Sequence, residues 1–278
     1  MTGRKKRDTA IVFIILSAMS ALFVFPIYLT VMMSFKPVNE LFIFPPKIYT
    51  LSPTMENYRE MYRLLENLWV PFSRYFFNTV FVTVTVTVLQ CFLCSMAGFV
   101  LAKGRFYGRK LINSLIVIAL LYQSNVIYLM QYLVMSRLHI IDTYSAMILP
   151  YIATPLGVFL MRQSISRMPD TILDAGKVDG AGMFSLCWRI VIPNQKPALM
   201  TLAVFSFQSA WNMDAGGFIR NESLKTLQYA VKQAGSSGIS RTGAAMAGSV
   251  FILIPPAIVF ILCQGGVMET MTYSGIKE

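Results

Sequence analysis

The chain has 278 residues, of which 55% are hydrophobic and only 13% charged, and its mean hydropathy is +0.58. Soluble domains carry about 25% charged residues, so the composition excludes an ordinary soluble domain and indicates a protein that crosses a membrane several times. The formal net charge of +11 accompanies no basic patch interleaved with aromatic residues, which argues for contact with anionic lipid and against nucleic-acid binding.

Six stretches without charged residues are long enough to cross a bilayer, which takes about 17–25 helical residues. We predict transmembrane helices at residues 9–35, 75–102, 111–136, 143–161, 197–213 and 242–268. Residues 81–88 alternate apolar residues with threonine, which is a strand pattern by its period, but they lie within the second apolar stretch and are predicted to be helical. The predicted fold class is an all-α polytopic membrane protein, with a single transmembrane domain over residues 1–278.

The distribution of Lys and Arg predicts the orientation of these helices. With the N-terminus in the cytoplasm, fourteen of the 24 Lys and Arg residues fall on the cytoplasmic side. The remainder are spread over longer outer loops that hold more acidic residues. Because positive charges near the ends of spans favour the cytoplasm, we predict an N-in/C-in topology with residues 168–197 in the cytoplasm.

The third predicted span carries more polar side chains than the other spans. They are Gln123, Asn125, Tyr128, Gln131 and Tyr132. Polar groups at membrane depth usually face the helix bundle or a water-filled cavity, because they are costly unless paired or hydrated. Amides and aromatic rings also suit a sugar, since they bond its hydroxyls and stack on its CH faces. We therefore treat these residues as a candidate substrate pathway, with interhelical hydrogen bonding or an interfacial tyrosine belt as the alternative.

Residues 168–197 are the only long polar interruption on the predicted cytoplasmic side. Pro169 and Asp170 suit a helix start, so a short helix is predicted over residues 172–178. Asp179, Gly180 and Gly182 are expected to break that helix because glycine adopts backbone angles that other residues avoid. A second short helix can follow over residues 183–191 and is expected to end near Pro193. The product is a helix–turn–helix segment, called here the elbow (residues 168–197), which can lie in a groove on another protein.

The elbow contains DAGKVDGAG followed by IVIP, which resembles the cytoplasmic signature of ABC importer permeases: Glu-Ala-Ala, two residues, Asp-Gly-Ala, then Ile-x-Leu-Pro. The matching residues are Asp174, Ala175 and Gly176, then Asp179, Gly180 and Ala181, then Ile190, Ile192 and Pro193. Asp174 stands where the family has Glu and keeps its charge. Gly176 replaces the second Ala, which is expected to loosen the first helix by up to ~1 kcal/mol. The resemblance implies that these nine residues couple the chain to an ATPase, in what the family calls its coupling helix.

Near the outer end of the fifth predicted span stand Gln208, Trp211 and Asn212, and the Trp-Asn pair matches a family position. We add these three residues to the candidate pathway, with an interface anchor as the alternative role for the tryptophan. Residues 269–278 resemble the C-terminal end of sugar-type permeases. The resemblance thus covers nearly the whole chain and points to the carbohydrate branch, in particular the smaller partner of the maltose-type permease pair, with the type I ABC importer permease fold.

The chemistry expected of this chain is transport without catalysis. It contains no Gly-x-x-x-x-Gly-Lys-Ser/Thr loop, so ATP and Mg²⁺ are expected in a partner ATPase and no cofactor in this chain. No nucleophile–base pair or paired carboxylates suggest a catalytic site. One histidine and four scattered cysteines do not suggest a metal site.

The resemblance implies a subunit of an importer that carries oligosaccharides through the plasma membrane by alternating access. Its expected partners are a second, homologous permease in a heterodimer, a pair of ATPase subunits, an extracytoplasmic sugar-binding protein, the oligosaccharide and the bilayer. Two alternatives stay open. One is a permease of the same superfamily for another solute, such as a polyamine or phosphate. The other is a secondary transporter or a non-transporting membrane scaffold, and the absence of charged residues from the six spans disfavours the secondary transporter.

Overall fold

A computed structural model describes residues 2–43, 45, 47–66, 70–122, 124–214, 217–236, 238 and 241–275. Every regular element within these ranges is helical, which confirms the all-α prediction. The helices are α1 (Thr2–Phe35), α2 (Val38–Leu41), α3 (Glu56–Glu66), α4 (Phe72–Lys103), α5 (Arg109–Ala119), α6 (Ser124–Arg137), α7 (Tyr144–Ile148), α8 (Pro155–Ser166), α9 (Asp170–Val178), α10 (Met183–Ser185), α11 (Ile192–Asn194), α12 (Lys196–Trp211), α13 (Leu227–Gly235) and α14 (Thr242–Gly275). Gln123 and residues 276–278 lie outside the described residues, as does the side chain of Asn125.

Four helical segments among the described residues are long and apolar enough to cross a membrane. They are Thr9–Phe35, Phe72–Lys103, Tyr144–Ser166 and Thr242–Met268. These segments correspond to the first, second, fourth and sixth predicted spans. The threonine-alternating residues 81–88 lie in the middle of α4 and are helical, as predicted.

The third predicted span, residues 111–136, is not one continuous helix. α5 ends at Ala119 and α6 begins at Ser124. The turn between them is tightened, because the N–H of Leu121 bonds Ile118 and that of Tyr122 bonds Ala119, each three residues back. The break coincides with the polar residues that begin at Tyr122.

The fifth predicted span, residues 197–213, corresponds to α12, which has 16 residues. A helix of that length covers about 24 Å, less than the ~30 Å of a typical hydrocarbon core. The fourth predicted span ends later than residue 161, since α8 continues to Ser166. Thr154 caps the start of α8 through its hydroxyl, and Pro155 occupies the first turn, where its missing N–H costs nothing.

The described chain divides into two compact units. The first consists of residues 1–71 and 230–254, and the second of residues 72–229 and 255–278. In the first unit, the buried Asn57 of α3 donates hydrogen bonds to the carbonyls of Ser34 (2.8 Å) and Lys36 (2.7 Å), where α1 ends. Gly243, at the start of α14, lies directly against the Asn57 amide.

The core of the second unit is the contact between α4, α8 and α12. A Cβ at Gly98 of α4 would lie 2.7 Å from the Cβ of Met161 and 2.9 Å from the backbone nitrogen of Arg162, both in α8. A Cβ at Gly157 of α8 would lie 2.8 Å from the Cys94 sulfur and 3.0 Å from a methyl of Leu202 in α12. The helices therefore approach each other through glycines, as is typical where lipid offers no hydrophobic drive for helix association.

We expect Gly98→Ala to destabilise the protein in detergent by about 1–2 kcal/mol. The new methyl group overlaps backbone atoms of α8, and such overpacking costs about 1–3 kcal/mol, which exceeds the gain of up to ~1 kcal/mol from replacing a helical glycine. The measurement is the midpoint of thermal unfolding. Gly265→Ala in α14 is the matched control, because nothing lies within 4 Å of a Cβ there, and its midpoint is expected to stay or rise. Equal midpoints for the two variants would contradict the close approach of α4 and α8.

Candidate functional site

The first arm of the elbow is α9, which begins after Pro169 and carries Asp170 in its first turn. Its end is a Schellman motif. The N–H of Ala181 bonds the carbonyl of Gly176, and the N–H of Gly180 bonds that of Lys177, both at 3.0 Å. Gly180 has φ +79°, in the left-handed region that glycine adopts without strain. The predicted break at this glycine is confirmed.

The second arm of the elbow runs from Met183 and contains a π-helical turn over Leu186–Val191. The prediction that this arm ends near Pro193 is confirmed, because the helix ends at Asn194 and the chain turns at Gln195 before α12 begins. Proline normally crowds the carbonyl four residues before it and lacks an N–H. The wider π turn immediately before Pro193 alters that spacing, and π turns of this kind occur frequently at functional sites.

Gly176 joins the two arms. A Cβ at this position would lie 2.6 Å from the Cδ1 of Ile190 and 2.7 Å from the Cδ2 of Leu186. Gly176 was expected to loosen α9 because it replaces an alanine of the family. The structure shows that the missing methyl group also makes room for the second arm. Leu173, Leu186 and Ile192 are buried with the core residues of α4, α8 and α12. The elbow is thus packed onto the second unit by one face.

The opposite face of the elbow is exposed. Asp174, Ala175, Asp179, Gly180 and Pro193 are exposed, Ala181 and Ile190 are half-buried, and Gly176 and Ile192 are buried. The exposed face also includes three large apolar side chains that sequence reasoning did not single out: Val178 (88% exposed), Met183 and Phe184. An apolar patch around a polar bend is what a docking surface for another protein requires. Asp174 pairs with Lys177 at 2.8 Å, but both side chains are exposed, so the pair adds little stability.

Lys103 ties the elbow to the end of α4. Lys103 donates to the Met168 carbonyl (2.5 Å) and to the Asp170 carboxylate (2.6 Å), just where the elbow begins. The hydrogen bond from Lys103, together with its charge, lowers the pKa of Asp170 from its usual 3.8. Arg109 instead joins the start of α5 to the end of α4, since it donates to the carbonyls of Leu101 and Ala102 and of Gly104 just beyond that helix. The sequence analysis used both residues only as positive charges that predict orientation.

A cleft of about 800 Å³ lies between the end of α4 and the elbow. Its basic side chains are Lys103, Arg105, Arg109 and Lys177, and its acidic ones are Asp170 and Asp174. The cleft is therefore positively charged on balance, at the end of the second unit that carries the elbow. Among the described residues, no group of three or more His, Cys, Asp or Glu side chains could hold a metal ion.

At the opposite end of α4, a buried polar cluster binds the segment of residues 221–227. The amide of Asn78 donates to the carbonyls of Ser223 (2.9 Å) and Lys225 (3.0 Å) and accepts a hydrogen bond from the Tyr144 hydroxyl (2.7 Å). The Tyr75 hydroxyl lies 2.8 Å from the Glu222 carboxylate. Tyr75 and Asn78 lie 145 to 147 residues before their partners in this segment, so no local pattern could have revealed the contacts.

The same end of the second unit contains the candidate pathway residues of α6. The exposed ring of Tyr128 packs on Phe218 with centroids 4.8 Å apart, and Tyr132 lies 6.5 Å from the same ring. The Tyr132 hydroxyl accepts a hydrogen bond from Arg220 at 3.1 Å. Gln131 is half-buried. The structure therefore brings Tyr128 and Tyr132 together through a loop that the sequence analysis had not linked to them.

The three candidate pathway residues of α12 differ in their exposure. Trp211 is only 3% exposed and stacks on Phe207 at 5.7 Å, so in this conformation its ring faces the protein interior. Gln208 and Asn212 are exposed, and the Asn212 amide donates to the Gln208 carbonyl one turn back. Of the three side chains, Gln208 presents the amide most open to a ligand.

Comparison with known proteins decides the family. The chain is 30% identical over 261 residues to the arabinooligosaccharides transport system permease protein AraQ of Bacillus subtilis, covering 93% of this chain and 92% of that protein. It is 26% identical to the inner membrane ABC transporter permease protein YcjP of Escherichia coli K12, over 91% of each chain. The chain belongs to the ABC importer permeases, in their carbohydrate branch. No protein-family model matches it.

The fold agrees with this assignment. A crystal structure of a bacterial ABC transporter involved in the import of the acidic polysaccharide alginate matches with a TM-score of 0.78, 22% identity, and coverage of 94% of this chain and 97% of that one. The protein is thus a non-catalytic membrane permease subunit, a multi-pass protein of the plasma membrane that works with ATPase subunits and a substrate-binding protein. Family membership leaves no support for the secondary-transporter alternative.

We expect Gly180→Val to reduce substrate-stimulated ATPase activity of the assembled importer at least about tenfold, while the chain still inserts in the membrane. A β-branched residue in the left-handed region costs at least ~1–2 kcal/mol and distorts the Schellman motif. Gly182→Val is the matched control, because Gly182 has φ −68° and ψ 163°, and nothing lies within 4 Å of its Cβ position. Full activity in Gly180→Val would overturn the role assigned to the bend.

We expect Lys103→Met to speed amide hydrogen exchange across residues 170–178 roughly fivefold, because the Met168 carbonyl and Asp170 lose their donor. Lys110→Met removes an exposed lysine from the neighbouring α5 and serves as the control.

Because the pKa of Asp170 is depressed, the ion pair of Asp170 with Lys103 is fully present above pH 4 and is lost as the pH falls below that. In the wild-type protein, exchange in α9 should therefore rise on acidification below pH 4. Equal protection of residues 170–178 in Lys103→Met and in the wild type would contradict the role of Lys103 in holding the start of the elbow.

Proposed function

We propose that this chain is one of two permease subunits in an ATP-driven importer that moves oligosaccharides across the plasma membrane. The observation that carries the proposal is the similarity over 93% of its length to a permease named for arabinooligosaccharide transport. The fold match to an importer of a polysaccharide supports the same substrate class. The second subunit would be a homologous permease, forming a heterodimer as in the maltose-type pair that the sequence resembles.

The proposed topology has six spans with both termini in the cytoplasm. α5 and α6 together would form the third span, interrupted after Ala119, and α12 the fifth. Broken helices are tolerated at membrane depth where the freed backbone groups are buried in protein or face water, and the polar run after Leu121 suits such a place. The basic cleft of Lys103, Arg105, Arg109 and Lys177 would then lie on the cytoplasmic side, as the positive-inside rule favours.

The elbow would dock on one of two ATPase subunits, which bind ATP and Mg²⁺ while this chain binds neither. Its exposed face offers Val178, Met183 and Phe184 for burial, and Asp174 and Asp179 for ion pairs or helix capping. Closure of the ATPases would move the elbow as a lever. Because the other face of the elbow packs on α4 and α8, and Lys103 holds its start, this movement would pass to the spans and switch them between inward-open and outward-open states.

The oligosaccharide would leave an extracytoplasmic binding protein and pass the polar face of α6 and the outer end of α12. Gln131, Tyr128, Tyr132 and Gln208 are the described side chains that support this path, since each has an exposed or half-buried polar group. As a sugar moves along such groups, each hydrogen bond that it loses is replaced by a similar one, so its free energy changes little. Transport needs such weak, exchangeable contacts, because tight binding would slow release.

The experiment that tests this function begins by purifying the tagged chain from its own host in mild detergent. A Walker-type ATPase, a second permease and a binding protein are expected to accompany it. The assembled importer is then reconstituted in vesicles, and ATP-dependent uptake of labelled oligosaccharides is compared with that of labelled polyamine and phosphate. Uptake of a polyamine or phosphate without any oligosaccharide would contradict the proposal in favour of a permease for another solute. Matched vesicles that contain a non-hydrolysable ATP analogue provide the control.

A further inference from the structure

Arg220 lies at the edge of the aromatic group formed by Tyr128, Tyr132 and Phe218. Its side chain is exposed, and its Nη2 donates to the Tyr132 hydroxyl at 3.1 Å. Among the residues that the structure describes, the guanidinium forms no ion pair within 4 Å. One of its five N–H donors is used by Tyr132, so four remain for a ligand.

The backbone of Arg220 is held in place by Asp142. The Asp142 carboxylate accepts hydrogen bonds from the N–H of Arg220 and from that of Asn221, the latter at 3.0 Å. The N–H of Asp142 in turn donates to the Phe218 carbonyl at 3.2 Å. Asp142 has φ +62°, an uncommon backbone conformation outside glycine that aspartate tolerates. The nearby acid is thus engaged with backbone amides, so it orients Arg220 without pairing with its guanidinium.

The aromatic group supplies a surface beside this cation. Phe218 is buried and supports the exposed ring of Tyr128. Gly217 leaves room for the Tyr128 hydroxyl, because a Cβ there would overlap it. Three independent segments therefore meet at one place: α6, the turn at Asp142 and the loop of residues 217–221. An arginine with unused N–H donors beside an aromatic surface can bind an anionic ligand.

We propose that Arg220, Tyr128 and Tyr132 form a subsite for an acidic sugar residue, with Arg220 binding the carboxylate of a uronate in the transported oligosaccharide. A guanidinium presents two parallel N–H donors that match a carboxylate, which a lysine cannot do. The tyrosine ring suits the CH face of the same sugar. This inference rests on the proposed function, because it narrows the oligosaccharide to one that carries carboxylates.

The test uses the complete importer, reconstituted with its own partner subunits and binding protein. Two probes of equal length and linkage are compared: an oligouronate and its carboxyl-reduced, neutral counterpart. Arg220→Gln removes the charge, and Arg220→Lys keeps the charge but loses the fork. Arg137→Gln, which changes an exposed arginine at the end of α6, is the matched control. The binding protein is unchanged throughout, so differences between variants report on the permease.

In the wild type we expect ATP-dependent uptake of the oligouronate. Arg220→Gln should lower that uptake about 10- to 100-fold, as the loss of hydrogen bonds to a charged group implies, with Arg220→Lys in between and Arg137→Gln unchanged. Uptake of the neutral probe, where it is measurable, should not depend on Arg220. The thermal midpoint of Arg220→Gln should match the wild type, because the Tyr132 bond is exposed.

Two outcomes would overturn the inference. One is wild-type uptake of oligouronate by Arg220→Gln, and the other is a wild-type importer that carries only the neutral probe. Both leave the proposed function intact, since an oligosaccharide still crosses the membrane. Failure of both probes, together with uptake of a non-sugar solute, would instead contradict the proposed function itself.

Discussion

The close approach of α4 to α8 is the contact on which the second unit depends. Helices in a bilayer gain little from hydrophobic burial against each other, so they associate where small residues let backbones meet. Gly98 and Gly157 provide that approach, one on each helix, and Gly157 also admits Leu202 of α12. The buried cluster continues from these helices to Leu173 and Ile192. The position of the elbow is therefore set by the same contact that sets the core.

Sequence reasoning succeeded where the signal is local. A left-handed turn at Gly180 could be predicted because few other residues tolerate those backbone angles, and α9 follows from Pro169 and Asp170 at its start. It missed the π-helical turn before Pro193, because such a turn depends on packing and leaves no simple pattern in the sequence. Composition also predicted one continuous helix for the third span, residues 111–136. In the structure this span is divided into α5 and α6, at the polar residues after Leu121.

The candidate pathway was only partly predictable for a different reason. Tyr128 and Tyr132 could be selected because polar residues are rare in apolar spans, but their partner Arg220 lies 88 residues further along the chain from Tyr132. Trp211 was selected by resemblance, yet its exposure depends on packing against Phe207 and cannot be read from its identity.

The contacts of Lys103, at the other end of α4, could not be predicted from the sequence either. A basic residue after a span predicts orientation, and only the fold shows which carbonyl and carboxylate it binds.

The Schellman motif and the contact of Gly176 with Ile190 have a consequence for association with a partner. Both are made within the chain, so the bend is ordered without any other subunit. A docking segment that is ordered in advance loses little conformational entropy on binding, and more of the contact energy remains as affinity. Preorganisation also allows a mechanical role, since a segment that had to fold at each encounter would absorb displacement instead of passing it on.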